Sequence, residues 1–262
     1  MHPMNIAHRG GAALKPENSL PAFADAIRRG CDGAELDVQL SRDGVAVVHH
    51  DFRLMADVAR KDGAWLNEPG PRIRDLTLAE LRDWDVGRPR PGSRYAATHP
   101  LLEAEDGATV PTLEDVVALA KAAPDFRLMV ELKCDESEDS ADPAALADAA
   151  LDVAMRAGFL ERAVFVGFDW RALARVLACA PGAQCWFTTH RLYGDARAKI
   201  DAVAAAGGQG WFPHYGDASP DNVAHARTLG LKVGAWTVND PADMHRLSDL
   251  DAICTDRPDL LQ

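Results

Sequence analysis

Glu35 and Asp37 lie two apart in the run Glu35-Leu36-Asp37-Val38-Gln39-Leu40, where acidic or polar residues alternate with aliphatic ones. An extended chain sends successive side chains to opposite faces, so a strand here puts both carboxylates on one face and Leu36, Val38 and Leu40 on the other. Two carboxylates held that close repel, and a bound hard cation is the simplest way to keep both ionised. Downstream, Asp43-Gly44 is the pair preferred in a two-residue type I′ hairpin turn. With these as the central residues Arg42 pairs with Val45 and Asp37 lies opposite His50, returning an imidazole to the carboxylates for proton transfer. His49 then faces away and is read as a packing or surface residue. An isolated Glu-x-Asp also has a plainer reading, the wet face of an edge strand with ordinary surface histidines, and only further groups in the chain decide between the two.

The chain supplies four more. The short apolar run Met4 to Ala7 ends in His8-Arg9-Gly10-Gly11, and a predicted strand from Arg127 to Lys133 ends with Glu131 and Lys133 on one face and Val130 and Leu132 on the other. Glu35, Asp37 and Glu131 form an oxygen-only donor set with no Cys or His at metal-ligand spacing. Such a set selects one divalent cation, Mg²⁺ or Ca²⁺ with Mn²⁺ also admitted, over Zn²⁺. Arg9 and Lys133 beside that ion make a phosphate site, and two histidines across the phosphorus, His8 and His50, suit in-line displacement at a phosphodiester. Glu17 and Asn18, in the polar loop beside the His8 turn, either stand behind these groups or cap a helix. Cys134 follows Lys133, but no activating base is identifiable beside it.

Bringing these groups together requires strand ends from distant parts of the chain to meet. Leu20, Phe23, Ala26 and Ile27 make the apolar stripe of a first helix, capped by Asn18 or Ser19 and stopped by Gly30. The G-x-G-x-x-G that a dinucleotide fold needs at this turn is absent. From Pro111 helix and strand alternate: Thr112 and Asp115 open a helix through Lys121, Asp142-Pro143 opens another, and Asp169, Ser219-Pro220 and Asp240-Pro241 open three more. Strands are predicted at Val164–Phe168, Gln184–Thr188, Gly210–Pro213, Lys232–Val238 and Ala252–Cys254. With those near Ile6, Leu36 and Leu128 they make eight strands linked by helices, and Val45 to Val48 is left as an antiparallel hairpin arm. The expected fold is α/β, a (β/α)₈ TIM barrel, whose catalytic groups belong at the C-terminal ends of strands, where His8, Arg9, Glu35, Asp37, Glu131 and Lys133 all fall. Trp236 lies late on its strand and is either core or pocket lining. His99, His190, His214, His225 and His245 have no matching partners in the sequence and are read as structural.

Residues 52–110 interrupt the rhythm. They are rich in Pro, Gly and Arg, contain nine basic residues, and carry one helix signal at Thr77-Leu78-Ala79-Glu80-Leu81. They read as an insertion over one barrel mouth within a single domain spanning 1–262, with too few apolar residues for a core of their own, or else as a solvated loop. A length of 262 residues suits one such barrel. The net charge of −12 disfavours nucleic acid and anionic membrane as partners, no apolar run is long enough to span a membrane, and the first strand begins too near Met1 to leave room for a signal peptide. The five cysteines are scattered with no C-x-x-C pair and read as reduced thiols, so a cytoplasmic enzyme is expected. Nothing in the sequence sets an oligomeric state.

His8-Arg9-Gly10, Glu17-Asn18, Glu35-x-Asp37, His50-Asp51, Pro111-Thr112-Leu113-Glu114, Glu131-Leu132-Lys133, Trp236-Thr237-Val238-Asn239 and Thr255-Asp256-Arg257-Pro258 follow one another along the chain. In that order they resemble the motif set of the glycerophosphodiester phosphodiesterase family, almost from end to end, with 52–110 matching the family's insertion. The resemblance implies a barrel enzyme that takes small-molecule glycerophosphodiesters, such as glycerophosphocholine, to sn-glycerol 3-phosphate and an alcohol. It implies His8 and His50 as the acid–base pair, Glu35, Asp37 and Glu131 as metal ligands, and Arg9 and Lys133 as phosphate contacts. Attack by the glycerol's neighbouring hydroxyl, through a cyclic phosphate, and direct attack by water both stay open. One departure is Gly167-Phe168-Asp169 where members often carry Ser-Phe, which removes a side-chain hydroxyl and leaves Phe168 as an apolar wall. Two rivals remain: a phospholipase C- or D-type enzyme on a lipid or lysolipid, which needs an apolar rim that the arginine-studded insertion lacks, and a catalytically silent barrel that binds phosphorylated metabolites.

Overall fold

The computed structural model describes residues 2–137, 139–191 and 194–261. Within them the strands are β1 (Met4–Ala7), β2 (Gly33–Leu40), β3 (Ala46–Val48), β4 (Arg60–Lys61), β5 (Ala64–Trp65), β6 (Arg127–Leu132), β7 (Ala163–Gly167), β8 (Gln184–Thr189), β9 (Gly210–Pro213), β10 (Lys232–Ala235) and β11 (Ala252–Thr255). The helices are α1 (Leu20–Arg28), α2 (Leu78–Arg82), α3 (Arg94–Thr98), α4 (Leu113–Lys121), α5 (Pro143–Arg156), α6 (Trp170–Cys179), α7 (Ala196–Ala205), α8 (Pro220–Thr228) and α9 (Pro241–Arg246). β6 to β11 pair in sequence order and in parallel, β11 pairs with β1, and β1 and β6 both pair with β2, closing an eight-stranded (β/α)₈ barrel. β3 adds antiparallel to β2 outside the ring.

Local chemistry starts the helices of the wall. Ser19, Thr112, Asp142, Asp169, Asp195, Ser219 and Asp240 each accept a backbone N–H of the helix they precede, an interaction worth about 0.5–2 kcal/mol apiece. Ser19, not Asn18, is thus the cap of α1, and α7 is a helix whose Asp195 cap had not been singled out.

Period-two alternation along the strands sorts two cores. Leu36, Val38, Val130, Leu132, Phe165, Phe187 and Trp211 face the helices, while Ile6, Met129, Val164, Val166, Trp186, Phe212 and Cys254 fill the barrel. Trp186 is the largest plug. It fits because Gly210 and Gly234 face it: a Cβ on Gly210 would sit 2.4 Å from the indole, one on Gly234 3.0 Å. This apolar fill lies beneath the carboxylates and keeps water from reaching them from below.

Two expectations are corrected. Asp43-Gly44 does not form a two-residue type I′ turn. Only Gly44 has positive φ (77°), Ser41 pairs with Val45 across the three-residue loop 42–44, and Ser41 Oγ accepts the Val45 N–H at 3.0 Å. That arrangement shifts the register by one residue, so Asp37 lies beside His49, whose N–H donates to the Asp37 carbonyl at 2.9 Å. The type I′ geometry appears instead at Asp62-Gly63 (φ 52° and 79°), joining β4 to β5. The second correction concerns 52–110, which does carry an apolar cluster: Leu54, Val58, Ala59, Ile73, Leu81, Val86 and Val110 close around Val47 of β3. β3 therefore serves as the footing of the insertion. No described helix is long and apolar enough to cross a membrane.

Candidate active site

The register of β2 against β6 places Asp37 opposite Glu131 and Glu35 opposite Met129. Glu35, Asp37 and Glu131 thereby each present an oxygen within 4.8 Å of the other two. Glu35 is 2% and Asp37 1% exposed. Burial and the adjacent Asp37 push the Glu35 carboxyl well above its usual range. Burial would raise Asp37 too, but Arg9, His50, Lys133 and the Asn18 amide hold it far below the ordinary value. Glu35 Oε1 is buried with no hydrogen-bond partner. An oxygen-only set of buried acids with an orphaned carboxylate oxygen fits a hard divalent cation.

Cationic and polar groups brace this cluster. After β1 the chain turns through His8-Arg9-Gly10 with Arg9 in the left-handed region (φ 51°), a conformation costing on the order of 1–3 kcal/mol for a residue with a Cβ. Its N–H donates to Glu35 Oε2 at 3.1 Å, its Nη1 to Glu17 Oε1 at 3.0 Å, and its Nε lies 3.3 Å from Asp37 Oδ2. Gly10 follows with φ 84°, where a Cβ would meet Ala22 Cβ at 2.7 Å, so only glycine lets the turn pack against α1. Lys133 Nζ donates to Glu131 Oε1 at 2.9 Å and lies 3.6 Å from Asp37 Oδ1. Burial disfavours its charge, yet Glu131 and Asp37 more than restore it. Asn18 donates from Nδ2 to Asp37 Oδ2 at 2.8 Å and accepts the Asp37 N–H at 3.2 Å.

Each of the two histidines has one ring nitrogen taken by a carboxylate. His8 Nδ1 meets Asp256 Oδ1 at 2.6 Å and leaves Nε2 3.8 Å from Glu35 Oε2. Asn239 donates to Asp256 Oδ2 at 2.7 Å and accepts the Asp256 N–H at 2.9 Å. Although burial and Arg9 work against a charged ring, Asp256 and Glu35 raise His8 above the usual imidazole value. His50 Nδ1 meets Asp51 Oδ1 at 2.8 Å. His50 still reaches the site despite the shifted register because it lies beyond the last paired residue of β3. His49 is buried, with its Nε2 unpartnered.

His8, Arg9, Glu35, His50, Glu131 and Lys133 share one cavity of about 100 Å³ with Phe168, Phe212, Trp236, Thr237 and Cys254. Its far side is aromatic. His190 stacks on Phe168 at 4.0 Å, Trp236 meets Phe168 edge-on at 5.3 Å, and His214 meets Trp236 edge-on at 5.4 Å. Trp236 Nε1 donates to the Phe212 carbonyl at 3.1 Å, which leaves the ring face to the cavity.

Comparison with known proteins matches this geometry to a family. The model of the glycerophosphoryl diester phosphodiesterase family matches residues 8–260. The chain belongs to the glycerophosphoryl diester phosphodiesterase family. It is 29% identical over 274 residues to the glycerophosphodiester phosphodiesterase of Caldanaerobacter subterraneus subsp. tengcongensis, covering 100% of this chain and 97% of the relative. The structure of a Silicibacter pomeroyi DSS-3 protein described as a candidate glycerophosphoryl diester phosphodiesterase superposes with a TM-score of 0.91 at 34% identity, over 98% of this chain and 90% of that one. An Oleispira antarctica phosphodiesterase in complex with the product sn-glycerol-3-phosphate shares the fold, with a TM-score of 0.77 at 24% identity over 100% and 96% of the two chains.

Gly167, the departure noted in the sequence, lies on the outer face of its strand. A Cβ there would point out of the barrel toward the Leu132 carbonyl at 3.4 Å, so no side chain at 167 faces the cavity. Sequence reasoning passed over Asp256 and Asn239, although both stood in the motifs it quoted, because a carboxylate that orients a histidine 248 residues away leaves no local pattern. It also set aside His190 and His214, whose partners are Phe168 and Trp236 on neighbouring strand ends.

Proposed function

We propose that this enzyme hydrolyses water-soluble glycerophosphodiesters to sn-glycerol 3-phosphate and an alcohol with one divalent cation, Mg²⁺ or Ca²⁺ with Mn²⁺ also admitted, and His8 and His50 as its acid–base pair. The observation that carries the reading is the single small cavity lined at once by both histidines, two of the three clustered acids, Arg9 and Lys133. Glu35, Asp37 and Glu131 would hold the cation, which when bound polarises the phosphoryl oxygens. Arg9 and Lys133 bind those oxygens from the side. Asp256 and Asp51 each accept the Nδ1 proton of their histidine, so Nε2 is the atom that takes or gives a proton at the attacking and leaving oxygens. Phe168 and Trp236 orient the carbon part of the diester, and the apolar fill below excludes stray water. All five cysteines are free thiols, four of them buried, which suits a reducing compartment such as the cytoplasm.

A water-soluble substrate is favoured over a lipid because arginines of the insertion are paired with neighbouring acids. Arg53 pairs with Asp139, Arg60 with Asp85 and Asp106, and Arg88 with Asp106, giving the insertion a charged, polar surface rather than one suited to acyl chains. Glycerophosphocholine and lysophosphatidylcholine should be assayed side by side with Mg²⁺, Ca²⁺ or Mn²⁺ and in excess chelator. The expected outcome is cation-dependent release of sn-glycerol 3-phosphate from the first. Undiminished turnover in chelator would refute the cation assignment, and preference for the lysolipid would refute the substrate.

A further inference from the structure

We infer that Tyr95, supplied by the insertion, is a positioning residue for the phosphate-binding arginine, acting through Glu17. The inference rests on Arg9 contacting phosphate as proposed above. Tyr95 sits on α3, a five-residue helix capped by Ser93, and its hydroxyl donates to Glu17 Oε2 at 2.8 Å. The other oxygen of the same carboxylate, Glu17 Oε1, accepts Arg9 Nη1 at 3.0 Å. Arg9 Nε in turn lies 3.3 Å from Asp37 Oδ2. A continuous relay thus runs from a residue of the insertion, through a carboxylate outside the acid cluster, to the guanidinium beside the proposed cation ligands.

The relay has a physical task. Of the four carboxylates that attract Arg9, Glu17 and Asp37 pull hardest, and the one that wins decides whether the guanidinium stands beside the cluster or collapses onto it. Glu17 lies largely buried, with its side chain 9% exposed. A buried carboxylate oxygen stripped of its donor is costly to leave unpaired, so losing the Tyr95 hydroxyl turns Glu17 toward another donor and releases Arg9 to Asp37. The insertion also grips the loop that carries Glu17. Lys15 Nζ reaches Glu105 Oε1 at 2.5 Å and Glu103 Oε2 at 3.1 Å, and the Glu103 N–H donates to the Leu14 carbonyl at 2.9 Å. Tyr95 itself is steadied by its stack on His99, ring centroids 4.0 Å apart. A phenylalanine would keep that stack and lose only the hydroxyl.

The test uses the full enzyme with its cation, glycerophosphocholine as substrate and inorganic phosphate as competitive inhibitor. Tyr95→Phe should raise KM and the phosphate Ki together by about 3- to 30-fold, with kcat changed far less and the unfolding midpoint close to that of the parent. In a Glu17→Ala background the same substitution should have no further effect, because no side chain is left to join Tyr95 to Arg9. Parental KM and Ki in Tyr95→Phe would overturn the inference, and so would an undiminished effect in the Glu17→Ala background. If Tyr95→Phe does not fold, Glu17→Ala alone must raise KM and Ki in parallel, and parental values there overturn it equally. Arg9→Ala separates the two levels: an unchanged phosphate Ki in that variant removes the phosphate role of Arg9 itself, whereas a weakened Ki alongside a silent Tyr95→Phe removes only the relay.

Discussion

The two sides of the barrel mouth are built from opposite materials. On the β1, β2 and β6 side, ends of strands present buried charge: three acids crowd within 4.8 Å, Glu35 keeps an oxygen without a partner, and Arg9 is held with φ 51°. On the β7 to β10 side, the same positions present rings that satisfy one another, Phe168 stacked on His190 and crossed by Trp236, which is crossed in turn by His214. The charged side is incomplete by itself, since like charges and an orphaned oxygen persist only where the surrounding fold compels them. The aromatic side is complete without a ligand. A site divided in this way assigns electrostatic work to one side and shape to the other, and the two should respond differently to substitution.

The largest effect is expected on the charged side. His50→Ala should lower kcat by roughly 10³-fold while the circular dichroism spectrum is retained, because a positioned acid or base contributes about 10² to 10⁴-fold. A loss below tenfold would remove His50 from the proton-transfer pair. An intermediate effect is expected across the cavity. Trp236→Ala should raise KM by roughly tenfold, in line with about 1–3 kcal/mol for lost pocket contacts, and leave the cation affinity measured by calorimetry unchanged. Weakened cation binding in Trp236→Ala would mean the two sides are not separate.

The smallest effect is on stability and has the opposite sign to the effect on catalysis. Burial and Asp37 raise Glu35 above its usual carboxylate range. The native metal-free protein therefore keeps a proton that the unfolded chain has already released, and stability contributed through this group falls as pH climbs from about 5 toward 8. Glu35→Gln, unfolded by urea in chelator, should lose that component of the decline and exceed the parent by about 1 kcal/mol or more near pH 8. It should nevertheless be inactive. A Glu35→Gln protein less stable than the parent at pH 8 would show that the acid cluster is not strained without its ion.

Much of the charged side was legible in the sequence because it is encoded at a spacing of two. Glu35 with Asp37 and Glu131 with Lys133 share faces by the parity of an extended chain, whatever surrounds them. Helix starts were legible for the same reason, since Ser19, Thr112 and Asp142 cap the residues immediately after them. The eight-strand count followed from alternation along the chain. Two of the chain's four Asp-Gly pairs mark where local reading stops. Asp62-Gly63 makes the type I′ turn, whereas Asp43-Gly44 sits in a three-residue loop where Ser41 bonds across to Val45 and Asp43 accepts the Leu78 N–H of the insertion. One dipeptide thus has two geometries, chosen by its neighbours in space.

Residue types and their parity therefore settled which side chains could gather around an ion and a phosphate, because those facts depend only on the few residues nearest in the chain. The folded barrel alone decided that Asp256 orients His8, that His190 and His214 join the aromatic side, that Val47 carries the insertion's cluster, and that Tyr95 reaches Glu17. Each of those contacts joins residues on different elements. Their proximity arises from strand order and closure of the sheet, and neither leaves a mark in the spacing of the residues themselves.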